Sequence, residues 1–157
     1  ITLLLGSDLE ENGNPLNGWT AIVDSTRRQQ GKAAIYKISH HGSITGDFNR
    51  VWKEMLTAEP YAICSPYNRG TTLPSPEDVR RICACTPNAH ITSTRKIKES
   101  FIKKESAVQK TITEAGITFR GREYLPGMVR IRKEAGTGNS PCFLESFDGA
   151  APLHTFR

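Results

Sequence analysis

Two apolar runs that end in the same way constrain this chain more than any other feature. Leu3-Leu4-Leu5 breaks into Gly6-Ser7-Asp8-Leu9-Glu10, and Ala33-Ala34-Ile35-Tyr36-Lys37-Ile38-Ser39 breaks into His40-His41-Gly42-Ser43. Short apolar runs closed by small-residue turns read as buried strands. Each strand then delivers a reactive side chain, a carboxylate or a pair of imidazoles, to the rim where a sheet meets its loops. Those donors suit zinc. Two of them are too few for a catalytic zinc, so the ligand set in this chain reads as incomplete.

The following segments alternate in the same manner. Leu16 to Gln30 carries Trp19, Ile22 and Val23 on one helical face and stops at Gly31. Phe48 to Thr57 repeats the pattern with Val51, Trp52 and Met55. Tyr61–Ser65 and Ala89–Thr94 read as strands. Between them Pro74-Ser75-Pro76-Glu77-Asp78 is a helix start: Ser75 caps, Pro76 takes the first position, and two acids meet the positive end of the helix dipole. That helix points Val79, Ile82 and Cys83 inward and ends near Pro87. Residues 96–115 form a Lys/Glu-rich helical pattern ending at Gly116, and Ile117–Arg120 with Met128–Lys133 read as a hairpin. After Gly136 the pattern dissolves into Gly, Ser, Asn and Pro. The expected division is a domain over residues 1–135 and a tail or partner-docking segment over 136–157. Strands alternating with helices argue for the α/β class, with helices covering a largely parallel sheet.

A length of 157 residues with 37% hydrophobic content supports one domain with a real core. No stretch approaches the roughly 18 apolar residues of a membrane span, and no leader pattern is present, so a cytoplasmic protein is expected. Cys64, Cys83, Cys85 and Cys142 lie within apolar patterns and read as reduced, buried thiols. Cys83-Ala84-Cys85 with His90 has the spacing of no common zinc motif. The first residues, Ile1 onward, already read as a buried strand, which suggests a cut inside a domain. The net charge of +5 is uneven. Residues 1–94 hold nine basic and nine acidic side chains, whereas residues 95–133 hold eleven basic and four acidic. Such a segment beside a hydrolytic site concentrates a polyanion; the bland alternative is a solvated helix face with an exposed strand.

The quoted strings carry a resemblance. LLLGSDLE followed by YKISHHGS is similar to the second half of a metallo-β-lactamase-fold hydrolase, in particular the branch typified by ComEC-type competence hydrolase domains. YAICSPYNRGTTLPSPEDVRRI resembles the next strand, an Asn-containing loop and a Pro-initiated helix of that branch, so the likeness covers roughly residues 1–95. It implies the C-terminal αβ half of a four-layer αββα sandwich, with one sheet face left bare for an N-terminal half on the same or a separate chain. It also implies that Asp8 bridges two zinc ions and that a histidine of the His40-His41 pair completes the second metal's shell. Either histidine fits; His41 is favoured because Gly42 allows a tight turn beside it, with His40 then either a partner of a metal ligand or a contact to the leaving oxygen. Glu10 and Glu11 read as solvated carboxylates, Glu10 with the alternative of partnering a metal-bound imidazole. Ser43, Asn68 and Arg69 are candidate substrate contacts, Ser43 serving either a phosphate oxygen or the loop's own cap and Arg69 clamping a phosphate by paired hydrogen bonds.

The departures are definite. The family's His-x-His-x-Asp-His string is absent, as is the lone His that precedes the acidic turn. Leu73 stands before Pro74 where the family usually has a His, and Ser7 intervenes between Gly6 and Asp8. The expected function is therefore the C-terminal portion of a zinc-dependent hydrolase of phosphodiesters or nucleic acid, inactive as this chain alone. The alternative is a non-catalytic basic module that binds nucleic acid or a partner protein.

Overall fold

A parallel strand pair needs a crossover, and the chain provides one between each of its first four strands. The computed structural model describes residues 1–67, 70–94, 105–116, 125–134 and 142–156. In chain order the elements are β1 (Leu3–Leu5), α1 (Gly18–Asp24), β2 (Ala33–Lys37), β3 (Leu56–Cys64), α2 (Pro76–Cys85), β4 (Ala89–Ile91), α3 (Ser106–Glu114), β5 (Gly127–Lys133), β6 (Cys142–Asp148) and β7 (Ala151–Pro152). β1 to β4 pair in sequence, all parallel, and β7 closes the β4 edge antiparallel. β5 and β6 form a separate antiparallel hairpin. The class is α/β, with a five-stranded, mostly parallel sheet, as the alternation of segments predicts.

One face of the sheet carries the core. In register, Tyr36 lies beside Ala62, Ala62 beside Ala89, and Cys64 beside Ile91. Trp19 and Val23 of α1, Val51 of the π-type turn before β3, and Val79 and Ile82 of α2 are buried in the same cluster, with Leu153 and Phe156 beyond β7. The other face alternates out of it. Leu3, Ile35 and Tyr61 form one row there, and Leu5, Lys37, Ile63 and His90 form the next. None of these seven belongs to the core cluster. Leu3 is 51% exposed and Leu5 67%. Only the far end of the hairpin reaches this side among the described contacts, where the Tyr61 hydroxyl donates to the Cys142 carbonyl at 3.2 Å.

Local chemistry explains where the elements stop. α1 ends at Asp24 rather than running to Gln30. The stretch beyond it has no apolar residue to lay on the sheet, and the Ser25 hydroxyl turns back to accept from the Arg27 amide. Instead of a helix to Thr57, the chain makes a short helical turn at Val51–Met55 and enters β3 already at Leu56. Asp24 and Glu54 both pair with Arg50, which ties that turn to α1. α2 starts as expected: Ser75 accepts from the Asp78 amide at 3.1 Å while the Asp78 carboxylate accepts from the Ser75 amide at 3.0 Å.

The segment expected as a tail or partner dock contributes secondary structure. Cys142–Asp148 is a strand, β7 joins the main sheet, and Leu153 is fully buried. The partner of β5 is β6; the expected partner, residues 117–120, lies outside the described residues, as do Lys103 and Lys104 of the basic segment. The four cysteines are free thiols, but Cys85 is exposed rather than buried. No described helix is long and apolar enough to cross a membrane.

Asp78 makes the fold acid-sensitive. Burial pushes its carboxyl pKa up, but hydrogen bonds from Arg81 and Ser75 outweigh that and hold it below the ordinary 3.8. A depressed carboxyl stabilises the fold fully above its unfolded value, and that stabilisation is lost as pH falls through the folded value. Asp78→Asn should cost about 1–3 kcal/mol at neutral pH. It should also flatten the acid limb of a denaturation series below pH 4. Equal acid limbs in parent and variant would refute this.

Candidate metal centre

Parallel strands bring their carboxyl ends to one side of the sheet, where loops collect functional groups. At that end β1 runs into Gly6-Ser7-Asp8 and β2 into His40-His41. The two exits touch. The Gly6 amide donates to the Lys37 carbonyl at 2.9 Å, and the His40 amide donates to the Ser7 carbonyl at 2.8 Å. A Cβ at Gly6 would stand 2.7 Å from Ser39 atoms and 2.8 Å from the Lys37 carbonyl, so only glycine permits this approach.

Backbone strain gathers here. Ser7, His40 and His41 adopt φ of 47°, 42° and 55°. Left-handed backbone at a non-glycine costs on the order of 1–3 kcal/mol and persists where surrounding contacts over-determine it. Those contacts are visible. Ser39 is buried, and its hydroxyl donates to the Gly46 carbonyl at 2.7 Å and bonds the Tyr36 hydroxyl at 2.9 Å. The Trp19 indole donates to the same Gly46 carbonyl at 3.0 Å. Both ends of the 39–46 loop are thereby pinned to the core.

The two imidazoles are held differently. His41 Nδ1 lies 3.0 Å from the Ser65 carbonyl at the end of β3. A carbonyl only accepts, so Nδ1 carries the proton, and in the neutral ring Nε2 is the atom with the lone pair. That Nε2 lies 3.9 Å from Asp8 Oδ1. Two zinc bonds at a tetrahedral angle would separate such donors by about 3.3 Å. The Asp8 side chain is 80% exposed and free to close the difference. His40 Nδ1 instead contacts the Glu10 carboxylate at 2.6 Å and Thr45 Oγ1 at 3.1 Å, and the Thr45 hydroxyl donates to Glu10 at 2.9 Å. Glu10 thus orients His40, as expected of a carboxylate partner to an imidazole.

Asp8, His40, His41, Tyr67 and Leu73 line a depression of about 380 Å³. The Tyr67 ring centroid lies 5.1 Å from that of His41. Burial pushes the ammonium pKa of Lys37 down, opposed by the charge of Asp8. Cys64 is desolvated, its thiol pushed up to about 12, and it donates to the His41 carbonyl, so it acts as a structural group rather than a nucleophile.

The structure brings Asp8, His40 and His41 together. Of the two roles expected for Ser43, it takes the loop cap: it caps the 3-10 turn at Ile44–Gly46 by accepting from the Thr45 amide, and it does not line the depression. Asn68 and Arg69 lie outside the described residues. Tyr67, Thr45 and Ser65 escaped the sequence reading: the first adjoins the Asn-Arg loop, but nothing in sequence pairs the other two with imidazoles. His90 faces the bare side of β4, away from the Cys83-Ala84-Cys85 stretch of α2 that a cluster would need. Among the described residues, no group of three or more His, Cys, Asp or Glu could hold a metal ion. The donors present therefore match part of a zinc site in kind and direction and fall short of it in number.

No protein-family model, curated protein or solved structure matches this chain.

Gly6→Ala tests the contact between the strand exits. Because the obstructing atoms are mostly backbone, the variant should lose about 1–3 kcal/mol of stability. Gly13→Ala, with open space around it despite its φ of +74°, should cost less. Thermal melting compares them, and equal losses would refute the packing argument.

Proposed function

We propose that this chain is the C-terminal portion of a zinc-dependent metallo-β-lactamase-fold hydrolase acting on phosphodiesters, nucleic acid included. The observation that carries the reading is the His41–Asp8 pair: an imidazole whose Nδ1 is committed to Ser65 turns its Nε2 towards a carboxylate at the end of the neighbouring strand. Asp8 and His41 are then the metal ligands, with His40, oriented by Glu10, facing the same depression. Zinc, when bound, acts as a Lewis acid and lowers the pKa of water towards neutrality. Around it Asp8 and His41 bind, Glu10 and Thr45 fix the His40 ring, and Tyr67 and Leu73 shield one side.

The bare sheet face supports the sandwich half of this proposal. Two rows of mostly apolar side chains stand outside the core cluster, and a second αβ layer over Leu3, Leu5, Ile35 and Ile63 would remove them from water. That layer is the N-terminal half of the fold, and it would bring the remaining ligands. The substrate class rests on the basic composition of residues 95–133.

A second reading is a non-catalytic basic module that binds nucleic acid or a partner protein. The lack of a third ligand among the described residues favours it.

Metal analysis of the full-length protein separates the two readings: about two zinc ions per site are expected for the hydrolase, and none would sink it. Asp8→Ala and His41→Ala should cut hydrolysis by more than the roughly 10–100-fold typical of an outer partner, and His40→Ala should cost less. Neutralising Lys103, Lys104 and Lys110 should leave metal content intact and flatten the salt dependence of polyanion binding. Gel filtration of these 157 residues alone should show association through the bare face. A clean folded monomer would count against the missing layer.

A further inference from the structure

We propose that Tyr67 is a specificity residue of the depression: its ring is a platform for the flat face of an unpaired nucleobase. The inference rests on the nucleic-acid reading above and on no bound ion. It goes beyond that reading by naming the residue that takes hold of the base.

Among the described residues the lining forms two kinds of wall. Asp8, His40 and His41 come from the exits of β1 and β2 and offer a carboxylate and two imidazoles. Tyr67 and Leu73 come from the stretch between β3 and α2 and offer an aromatic ring and a branched aliphatic chain. A ligand that uses both walls carries a flat apolar surface and hydrogen-bonding groups on one small body. A nucleobase is such a body, with two π faces and an edge of donors and acceptors. A phosphate or a sugar has no flat face to lay on the ring. The volume of about 380 Å³ is near the lower end of ligand pockets, roughly 300–1,000 Å³. It suits one nucleotide unit rather than a length of duplex. Inside a duplex each base is covered by its neighbours, so the base that stacks here is unpaired.

The platform is held in place by its own backbone. The Tyr67 amide donates to the Leu73 carbonyl at 2.9 Å, and the Leu73 amide donates to the Tyr67 carbonyl at 2.9 Å. This reciprocal pair is an isolated antiparallel bridge that fixes the two apolar residues beside each other. Pro74, directly after Leu73, is fully buried, and Ser75 then caps α2. On the other side Cys64 ends β3 in the core, and the carbonyl of Ser65 holds His41 Nδ1 at 3.0 Å. The Tyr67 ring leans on His41, with planes 39° apart. It still keeps 37% of its surface exposed, whereas the core ring of Tyr36 keeps 2%. An exposed ring that is already fixed loses little conformational freedom when a base stacks on it.

The test uses the full-length protein with a chelator in the buffer. Two single-stranded oligonucleotides of equal length serve as probes, one bearing bases and one abasic throughout, and fluorescence anisotropy gives the affinity for each. The strands share their phosphates, so the ratio of the two affinities reads the bases alone. The parent should prefer the base-bearing strand. Tyr67→Ala should weaken binding of that strand about 5–150-fold, the usual weight of one aromatic–base stack, and leave the abasic strand unchanged. Tyr67→Phe should keep the parent's ratio. Tyr67→Leu, which retains apolar bulk without a flat ring, should behave as Tyr67→Ala, and it keeps the test decisive if Tyr67→Ala does not fold. Equal affinity of the parent for the two strands would overturn the proposal. So would a parental ratio in the folded alanine or leucine variant, or its loss in Tyr67→Phe. If the parent binds neither strand, the nucleic-acid reading fails on its own. Shifts of the Tyr67 ring resonances on adding adenosine but not ribose then uphold the platform, and their absence rejects it.

Discussion

The Gly46 carbonyl is the point on which the rest of this structure turns. It accepts from the Ser39 hydroxyl and the Trp19 indole, and Tyr36 completes the group from below. Three of these residues lie in the core, so the polar contacts are made where an unpaired partner would be costly. They join the first helix, the second strand and the far end of the histidine loop in one place. That junction is one of the contacts that hold the left-handed backbone at His40 and His41 in place. The orientation of both imidazoles is thus a consequence of core packing, and loop and core cannot be altered independently.

The sheet is asymmetric in a way that bears on the candidate site. Helices and the 153–156 turn contribute to one face, and the other holds the row from Leu5 through Lys37 and Ile63 to His90. Lys37 is on this second face, directly before the strand exit, with Asp8 close enough to influence its charge. The bare face and the candidate metal centre are therefore adjacent. Whatever lies over the sheet also borders the depression.

Sequence showed the parts whose causes are local. Ser75, Pro76 and Asp78 announce α2 because capping is decided within four residues. The strand exits at Gly6 and His40 are legible because an apolar run meets a small-residue turn. Sequence failed where pairing is distant. Cys142–Asp148 alternates as a strand should, but its Gly, Ser and Pro surroundings resemble a tail, and only Met128–Lys133 across the hairpin makes it a ribbon. The bond from Arg81 to the Gly42 carbonyl spans a separation no local pattern encodes. Ser43 left two roles open in sequence, a phosphate contact or the loop's cap, and the Thr45 amide two residues on takes the cap.

The short antiparallel strand β7 gives assembly a different order from synthesis. β1 and β2 can pair once residues 33–37 have been made, and β3 can join them soon after. Ile91, in contrast, waits for Ala151, and the cavity beside α2 waits for Leu153 and Phe156. A growing chain therefore holds its reactive rim in place while one wall of its hydrophobic interior is still open. Closing a loop of that length carries an entropic cost, and the segment farthest from the histidines in sequence completes the core around them.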